Sequence, residues 1–233
     1  MTKKQNGFSL IELAVVLFII SLLLGGLLVP LANQLEGQQR SEAQTQLEQI
    51  REALIGFAII NGRLPCFATE ADPSSPDYGE EDTSCNPQTA TEDGILPWKT
   101  LGLDSGTDPW GSPRTSESDP WRGYWRYRPD SVFIDPFDLS DVDADQLRVA
   151  DSNGNLLTSC CVTGSPRSQF PVAIVYSSGA NLTADGENVS YEQNAGDQPT
   201  YQGGTRTSTF DDMTIWITRP LLLNRMVSAG RLP

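Results

Sequence analysis

Histidine is absent from this sequence, and the side chains whose spacing points to chemistry are carboxylates and thiols. Without an imidazole there is no Ser-His-Asp or Cys-His arrangement and no His-ligated zinc. The most costly carboxylate is Glu12, which stands in an almost unbroken apolar run from Phe8 to Val29. An acidic residue at the centre of a membrane helix costs roughly 2.5 to 3.5 kcal/mol, so an ionisable group in such a run is a functional-site hypothesis by default. A second group, Asp138, Asp141, Asp143 and Asp145, has from Asp141 onward the 1, 3, 5 spacing of an EF-hand loop. It fails where that loop needs Gly and a bidentate Glu, positions held by Gln146 and Ser152, so a solvated loop with at most an opportunistic ion is expected.

The element that must carry Glu12 is a membrane helix. Phe8 to Val29 is 22 residues, enough at about 1.5 Å per residue to span a hydrocarbon core of about 30 Å. A secretory signal peptide would have a shorter apolar region and a small-residue cleavage site, and no Ala-x-Ala follows here. A plain uncleaved anchor would leave Glu12 unexplained. Lys3 and Lys4 hold the N-terminus in the cytoplasm by the positive-inside rule, which sends everything after Pro30 across the membrane, in a bacterium to the periplasm.

Beyond the anchor, the chain is long enough for one soluble domain of about 170 residues. It is strongly acidic, with 16 basic against 30 acidic residues. The segment Glu70 to Asp151 holds 19 carboxylates and 6 basic groups, most of it read as solvated surface. Such a surface disfavours nucleic acid as a partner, since duplex binding draws on Lys and Arg.

The thiols are Cys66, Cys85, Cys160 and Cys161, in a region expected to be exported, where disulfides persist. Three pairings are possible. Cys66 with Cys85 is favoured, closing a loop of about 20 residues worth about 3 kcal/mol on the chain-entropy model. The adjacent Cys160 and Cys161 are left to pair elsewhere, to stay reduced or to bond to another chain. Zinc is the rival, but Cys-x-x-Cys spacing is absent and no His is present.

Leu31 to Ile60 lacks proline and places Ala43, Leu47, Ile50, Leu54 and Phe57 on one helical face, an apolar stripe for a sheet to cover. Asn61-Gly62 ends the helix, and Pro30 is expected to kink or locally melt it. Gly62 to Ser131 reads as loops pinned by Trp98, Trp110, Trp121, Tyr124, Trp125 and Tyr127. Gln146–Ala150 and Leu156–Cys160 around Asn153-Gly154 read as a hairpin. Pro171–Tyr176 reads as a buried central strand, and Met213–Thr218 as an alternating one. The predicted fold is α+β, a long N-terminal helix packed on a C-terminal antiparallel sheet with long loops.

Gly7-Phe8-Ser9-Leu10-Ile11-Glu12-Leu13 resembles the cleavage and methylation segment of type IV pilins and type II secretion pseudopilins. The resemblance implies that a prepilin peptidase cuts between Gly7 and Phe8 and methylates the Phe8 amine. It also gives Glu12 a partner, the N-terminal amine of a neighbouring subunit, and opposite charges in one low-dielectric layer stabilise each other. The implied organisation is a leader at 1–7, a membrane and filament-core helix at 8–30, its amphipathic second half at 31–62 and a periplasmic pilin-like domain at 63–233. Asp108-Pro109-Trp110-Gly111-Ser112-Pro113 with Trp125-Arg126-Tyr127 is similar to a stretch of major pseudopilins, and Asn61-Gly62-Arg63-Leu64-Pro65-Cys66 to the helix exit of some pilin-like proteins. Ser178-Gly179-Ala180 through Ala184-Asp185-Gly186-Glu187, with Asp211-Asp212 just before a strand, resembles the calcium loop of those pseudopilins. Asp185, Asp211 and Asp212 are therefore the candidate Ca²⁺ ligands, although Leu182-Thr183 interrupts the tighter pattern and about 25 residues lie between Asp185 and Asp211; the alternative is a plain turn at Asp185-Gly186 and a strand cap at Asp211-Asp212.

The function implied is a structural subunit, a pseudopilin or minor pilin. It would be anchored once in the inner membrane, processed by prepilin peptidase, and assembled through a membrane platform with other pilins into a helical filament. The competing class is an anchored periplasmic carbohydrate-binding or carbohydrate-active protein, which would need two carboxylates about 5 to 9.5 Å apart and surface aromatics. No two particular carboxylates are paired across a cleft by sequence alone, and the aromatics are more simply core.

Overall fold

In a computed structural model of the chain, the described residues are 10–86, 93–111, 123–141, 144–145, 147–158, 170–190 and 199–232, with the side chains of 23–33 and 189–190 also outside this set. The chain divides into two compact units, Met1–Ser41 and Glu42–Pro233. Helix α1 runs from Leu10 to Asn61. The melting expected at Pro30 is not found, because the backbone is helical through it. A proline removes one hydrogen bond of the ladder, and the bonds on either side carry the helix on.

In the first unit, Leu10, Ile11, Leu13 and Phe18 are exposed, Leu10 at 87%. Among the described residues no helix is long and apolar enough to cross a membrane. The apolar run Phe8 to Val29 begins and ends outside the residues whose side chains are described.

In the second unit, α1 buries Ala43, Leu47, Ile50, Leu54, Ile55 and Ala58. Phe57, expected on this stripe, is only half-buried. A straight helix turns by 3.6 residues, so after Leu54 the buried line drifts to Ala58. Gly62 ends the helix as expected, with φ +75° and its N–H donating to Ala58 C=O at 2.8 Å, an αL cap that a Cβ would strain.

The main sheet has the order β1 (Gly94–Ile95), β2 (Arg126–Pro129), β4 (Pro171–Ser177) and β6 (Met213–Thr218), all antiparallel. Every residue of β4 is buried, because both faces of the sheet are covered. On one face Tyr127, Val175, Ile215 and Ile217 share a core with the α1 stripe and with Leu222 and Met226 of α2 (Arg219–Ser228). On the other, Ile174 and Tyr176 pack with Leu147, Val149 and Tyr201. The last three come from β3 (Arg148–Ala150), β5 (Thr200–Gln202) and their flanks.

The expected hairpin around Asn153-Gly154 is found only in part. Gly154 turns the chain at φ +79°, Ala150 and Leu156 form an antiparallel bridge, and Leu157 N–H donates to Val149 C=O at 2.7 Å; residues 159–160 lie outside the described residues. Among the described residues the strand that pairs with β3 is β5, in parallel, with Arg148 opposite Thr200 and Ala150 opposite Gln202. Burying Tyr201 beside Val149 and Tyr176 stabilises this distant pairing more than a local hairpin whose Leu156 and Leu157 stay exposed.

A candidate cation site and the N-terminal segment

Strand β4 ends at Ser177, and the loop that follows folds back on the residues before β6. Gly179 has φ +63°, and a Cβ there would stand 2.6 Å from the backbone O of Asp211, so the two segments meet at a distance only glycine permits. Leu182 is also left-handed, with φ +57°. The insertion Leu182-Thr183 is thus accommodated as a turn, closed by Leu182 N–H donating to Gly179 C=O at 3.3 Å. A bulky residue in that region of backbone space is costly and marks a local constraint.

Asp185, Asp211 and Asp212 are brought together although the first two are 26 positions apart. Each offers a carboxylate oxygen, and these atoms lie within 4.8 Å of one another. That spacing is about twice a Ca²⁺–O distance of 2.3 to 2.6 Å. The segments are cross-linked by reciprocal bonds: Asp185 N–H donates to Asp212 Oδ2 and Asp211 N–H donates to Asp185 Oδ2, both at 3.0 Å. Ala180 N–H and Asn181 N–H donate to Asp211 Oδ2 at 2.8 and 3.2 Å. Asn181 Nδ2 reaches both carboxylate oxygens of Asp185.

The three carboxylates crowd one another. Asp212 is 3% exposed, and its buried Oδ1 accepts no hydrogen bond among the described residues. Burial above all, with the charges of Asp185 and Asp211 adding, pushes its carboxyl up to about 7. Burial, aided by the charge of Asp185, also raises Asp211. Three crowded carboxylates either take up protons or share a cation, and hard oxygen donors of this kind suit Ca²⁺.

The sequence pointed to the three aspartates but not to Asn188, which joins them. It lies in the 3₁₀ helix Gly186–Ser190, is fully buried, and donates from Nδ2 to Asp212 Oδ2 at 2.8 Å. Its only sequence signal is its place three residues after Asp185, one helical turn along.

The described members of the other acidic cluster belong to two separate local networks. Asp138 and Asp141 cap their own turn, through Ser140 N–H to Asp138 and Asp138 N–H to Asp141. Asp145 instead accepts from Arg128 at 3.0 Å and from Ser131 Oγ at 2.7 Å. Asp143 lies outside the described residues.

Cys66 and Cys85 form a disulfide with Cα atoms 6.2 Å apart. Beside it Arg63 holds Glu81 through two bonds of 2.8 Å, and Cys66 N–H donates to Glu81 Oε2 at 3.1 Å. The helix exit is therefore clamped to the first long loop. Cys160 and Cys161 lie outside the described residues. The aromatics Tyr124, Trp125 and Tyr127 are buried and belong to the core, as do the buried partners Asp93, Arg126 and Tyr176, joined at 2.8 Å.

Glu12 stands in the first turn of α1, between the exposed apolar side chains of Ile11 and Leu13. Gly7 and Phe8 lie outside the described residues. No curated protein and no solved structure matches the chain. Residues 2–28 match the family model of the prokaryotic N-terminal methylation motif. These residues include Gly7, Phe8 and Glu12, and with them the chain carries the N-terminal signature of type IV pilins and pseudopilins.

Proposed function

We propose that this protein is a structural subunit, a pseudopilin or minor pilin, of a type II secretion or type IV pilus-like filament. The observation that carries this reading is the methylation motif at residues 2–28, with its carboxylate at Glu12 amid exposed apolar side chains. The precursor sits once across the inner membrane through Phe8 to Val29, with the globular domain in the periplasm. Prepilin peptidase hydrolyses the Gly7–Phe8 bond, and the freed Phe8 amine takes a methyl group from an activated methyl donor, giving up a proton as the donor's bond to that methyl breaks. Assembly then moves the apolar helix from lipid into the filament core, where it packs on the helices of other pilins. Glu12 is stabilised there by the N-terminal amine of a neighbour, because neither charge is well solvated in a low-dielectric layer.

The globular domain of about 170 residues is of ordinary single-domain size but bulky for a unit repeated along a fibre, which favours a low-abundance subunit. Asp185, Asp211 and Asp212 hold a structural Ca²⁺ in this reading, tying the loop after β4 to the start of β6. The role is structural, not catalytic.

The test is the intact mass of the protein purified from its native membrane, with and without reduction. A chain starting at Phe8 and carrying one extra methyl group is expected. A chain that starts at Met1, or beyond Pro30, would overturn the filament reading.

A further inference from the structure

Strand β5 is three residues long and pairs with β3 along one edge. At Gln202 its other edge meets a side chain. Asn188 Oδ1 accepts Gln202 N–H at 2.8 Å, and Asn188 Nδ2 donates to Gln202 C=O at 3.1 Å. A carboxamide has the same donor and acceptor as a peptide group, so Asn188 supplies the two bonds that a neighbouring strand would make. The second hydrogen of the same Nδ2 goes to Asp212 Oδ2 at 2.8 Å. Gln202 is held further by Glu187 N–H donating to its Oε1 at 3.3 Å and by Thr214 Oγ1 donating to its C=O at 2.9 Å.

We infer that Asn188 is a positioning residue that couples cation binding at Asp185, Asp211 and Asp212 to the order of the β3–β5 sheet. The inference rests on reading the three aspartates as a Ca²⁺ site. Without a cation, repulsion among three carboxylates whose oxygens lie within 4.8 Å acts on Asp212, whose Oδ1 has no hydrogen bond among the described residues to hold it. When Asp212 Oδ2 shifts, Asn188 loses the bond that orients it, the N–H of Gln202 loses the amide oxygen it donates to, and its C=O keeps only Thr214 Oγ1. A bound cation removes the repulsion and leaves Oδ2 to the amide. Tyr201, next to Gln202, is packed against Val149 and Tyr176, so the effect extends to the covered face of the main sheet.

The test is hydrogen–deuterium exchange of the full-length protein in detergent, with excess CaCl₂ or with EGTA, beside calorimetric Ca²⁺ titration. In the wild type, Ca²⁺ should slow exchange of the amides at Thr200–Gln202 on the order of tenfold, the factor for one buried hydrogen bond. Asn188→Ala should lose that slowing at saturating Ca²⁺. By linkage it should also bind Ca²⁺ about tenfold more weakly. Gln202→Ala keeps the backbone groups that Asn188 contacts and should retain both effects. Ca²⁺ binding with unchanged exchange at β5 in the wild type would overturn the coupling and leave the cation site standing. No Ca²⁺ binding would overturn the cation reading and the coupling with it. The wild-type arm decides the matter even if Asn188→Ala does not fold.

Discussion

Ser177, the last residue of β4, donates its hydroxyl to Asp108 Oδ2 at 2.5 Å, and its Oγ accepts Gly179 N–H at 3.0 Å. Asp108 Oδ1 also accepts Trp110 N–H at 3.1 Å. One buried carboxylate thus ties the Asp-Pro-Trp-Gly turn to the strand that enters the aspartate loop.

Burial pushes the Asp108 carboxyl up to about 6, against the lowering effect of its hydrogen bonds. Its folded value is above the ordinary unfolded value of about 3.9, so between about pH 4 and 6 the folded state binds more protons. Stability from this group therefore falls as pH rises through that window, by at most about 1.4 kcal/mol per pH unit. Asp130, pushed up to about 7 mainly by burial, acts in the same direction. Urea unfolding in EGTA should show the wild type more stable at about pH 5 than at about pH 7. Asp108→Asn, which keeps the acceptor for Trp110, should shrink the difference. An equal difference in both proteins would contradict this assignment.

The Cys66–Cys85 bridge spans 19 positions, and its loss should cost about 3 kcal/mol through the greater freedom of the unfolded chain. The double variant Cys66→Ser with Cys85→Ser, compared by urea titration, measures this. A loss below about 1 kcal/mol would mean that Arg63, Glu81 and the loop packing already hold the segment.

Ca²⁺ at about a hundred times its Kd should stabilise the folded protein by about 2.7 kcal/mol. For a chain of this size that raises Tm by roughly 5 to 10 °C. EGTA should reverse the rise, and Asp185→Ala should abolish it. A Ca²⁺-dependent rise that persists in Asp185→Ala would place the ion elsewhere.

Gly179→Ala should be at least about 1 kcal/mol more damaging than Gly102→Ala. Both glycines have positive φ, but a Cβ at Gly102 meets nothing within 4 Å whereas at Gly179 it meets backbone at 2.6 Å. Thermal unfolding of the two variants in parallel separates the conformational cost from the steric one.

Gly7→Ala should block processing, leaving the precursor on an immunoblot. Glu12→Val should be processed at close to the wild-type rate yet enter filaments poorly. Normal incorporation of Glu12→Val would sink the proposed pairing with the Phe8 amine, because the valine has no charge to offer it.

Much of the architecture is written in local pattern. The stripe Ala43, Leu47, Ile50 and Leu54, the stop at Gly62, the wholly buried β4 and the alternation of Met213 to Thr218 follow from periods of 3.6 and 2 acting over a few neighbours. The Cys66–Cys85 pairing was legible because the loop length favours it and because the N-terminal segment led to the expectation of export, where disulfides persist. The three aspartates were found through resemblance, and the structure adds that the buried Oδ1 of Asp212 meets no hydrogen-bond partner among the described residues.

What the sequence by itself determined is therefore the N-terminal segment with Glu12, the helix and the two principal strands, since each depends on residues adjacent in the chain. Only the tertiary structure decided that β3 pairs in parallel with β5, and that Asn188 serves both Gln202 and Asp212. It also decided that Ser177 meets Asp108 across 69 positions. Those contacts leave no periodic trace. They form because burying Tyr201, Val149 and Tyr176 together draws short polar segments to one place, where each buried polar group must then find a partner.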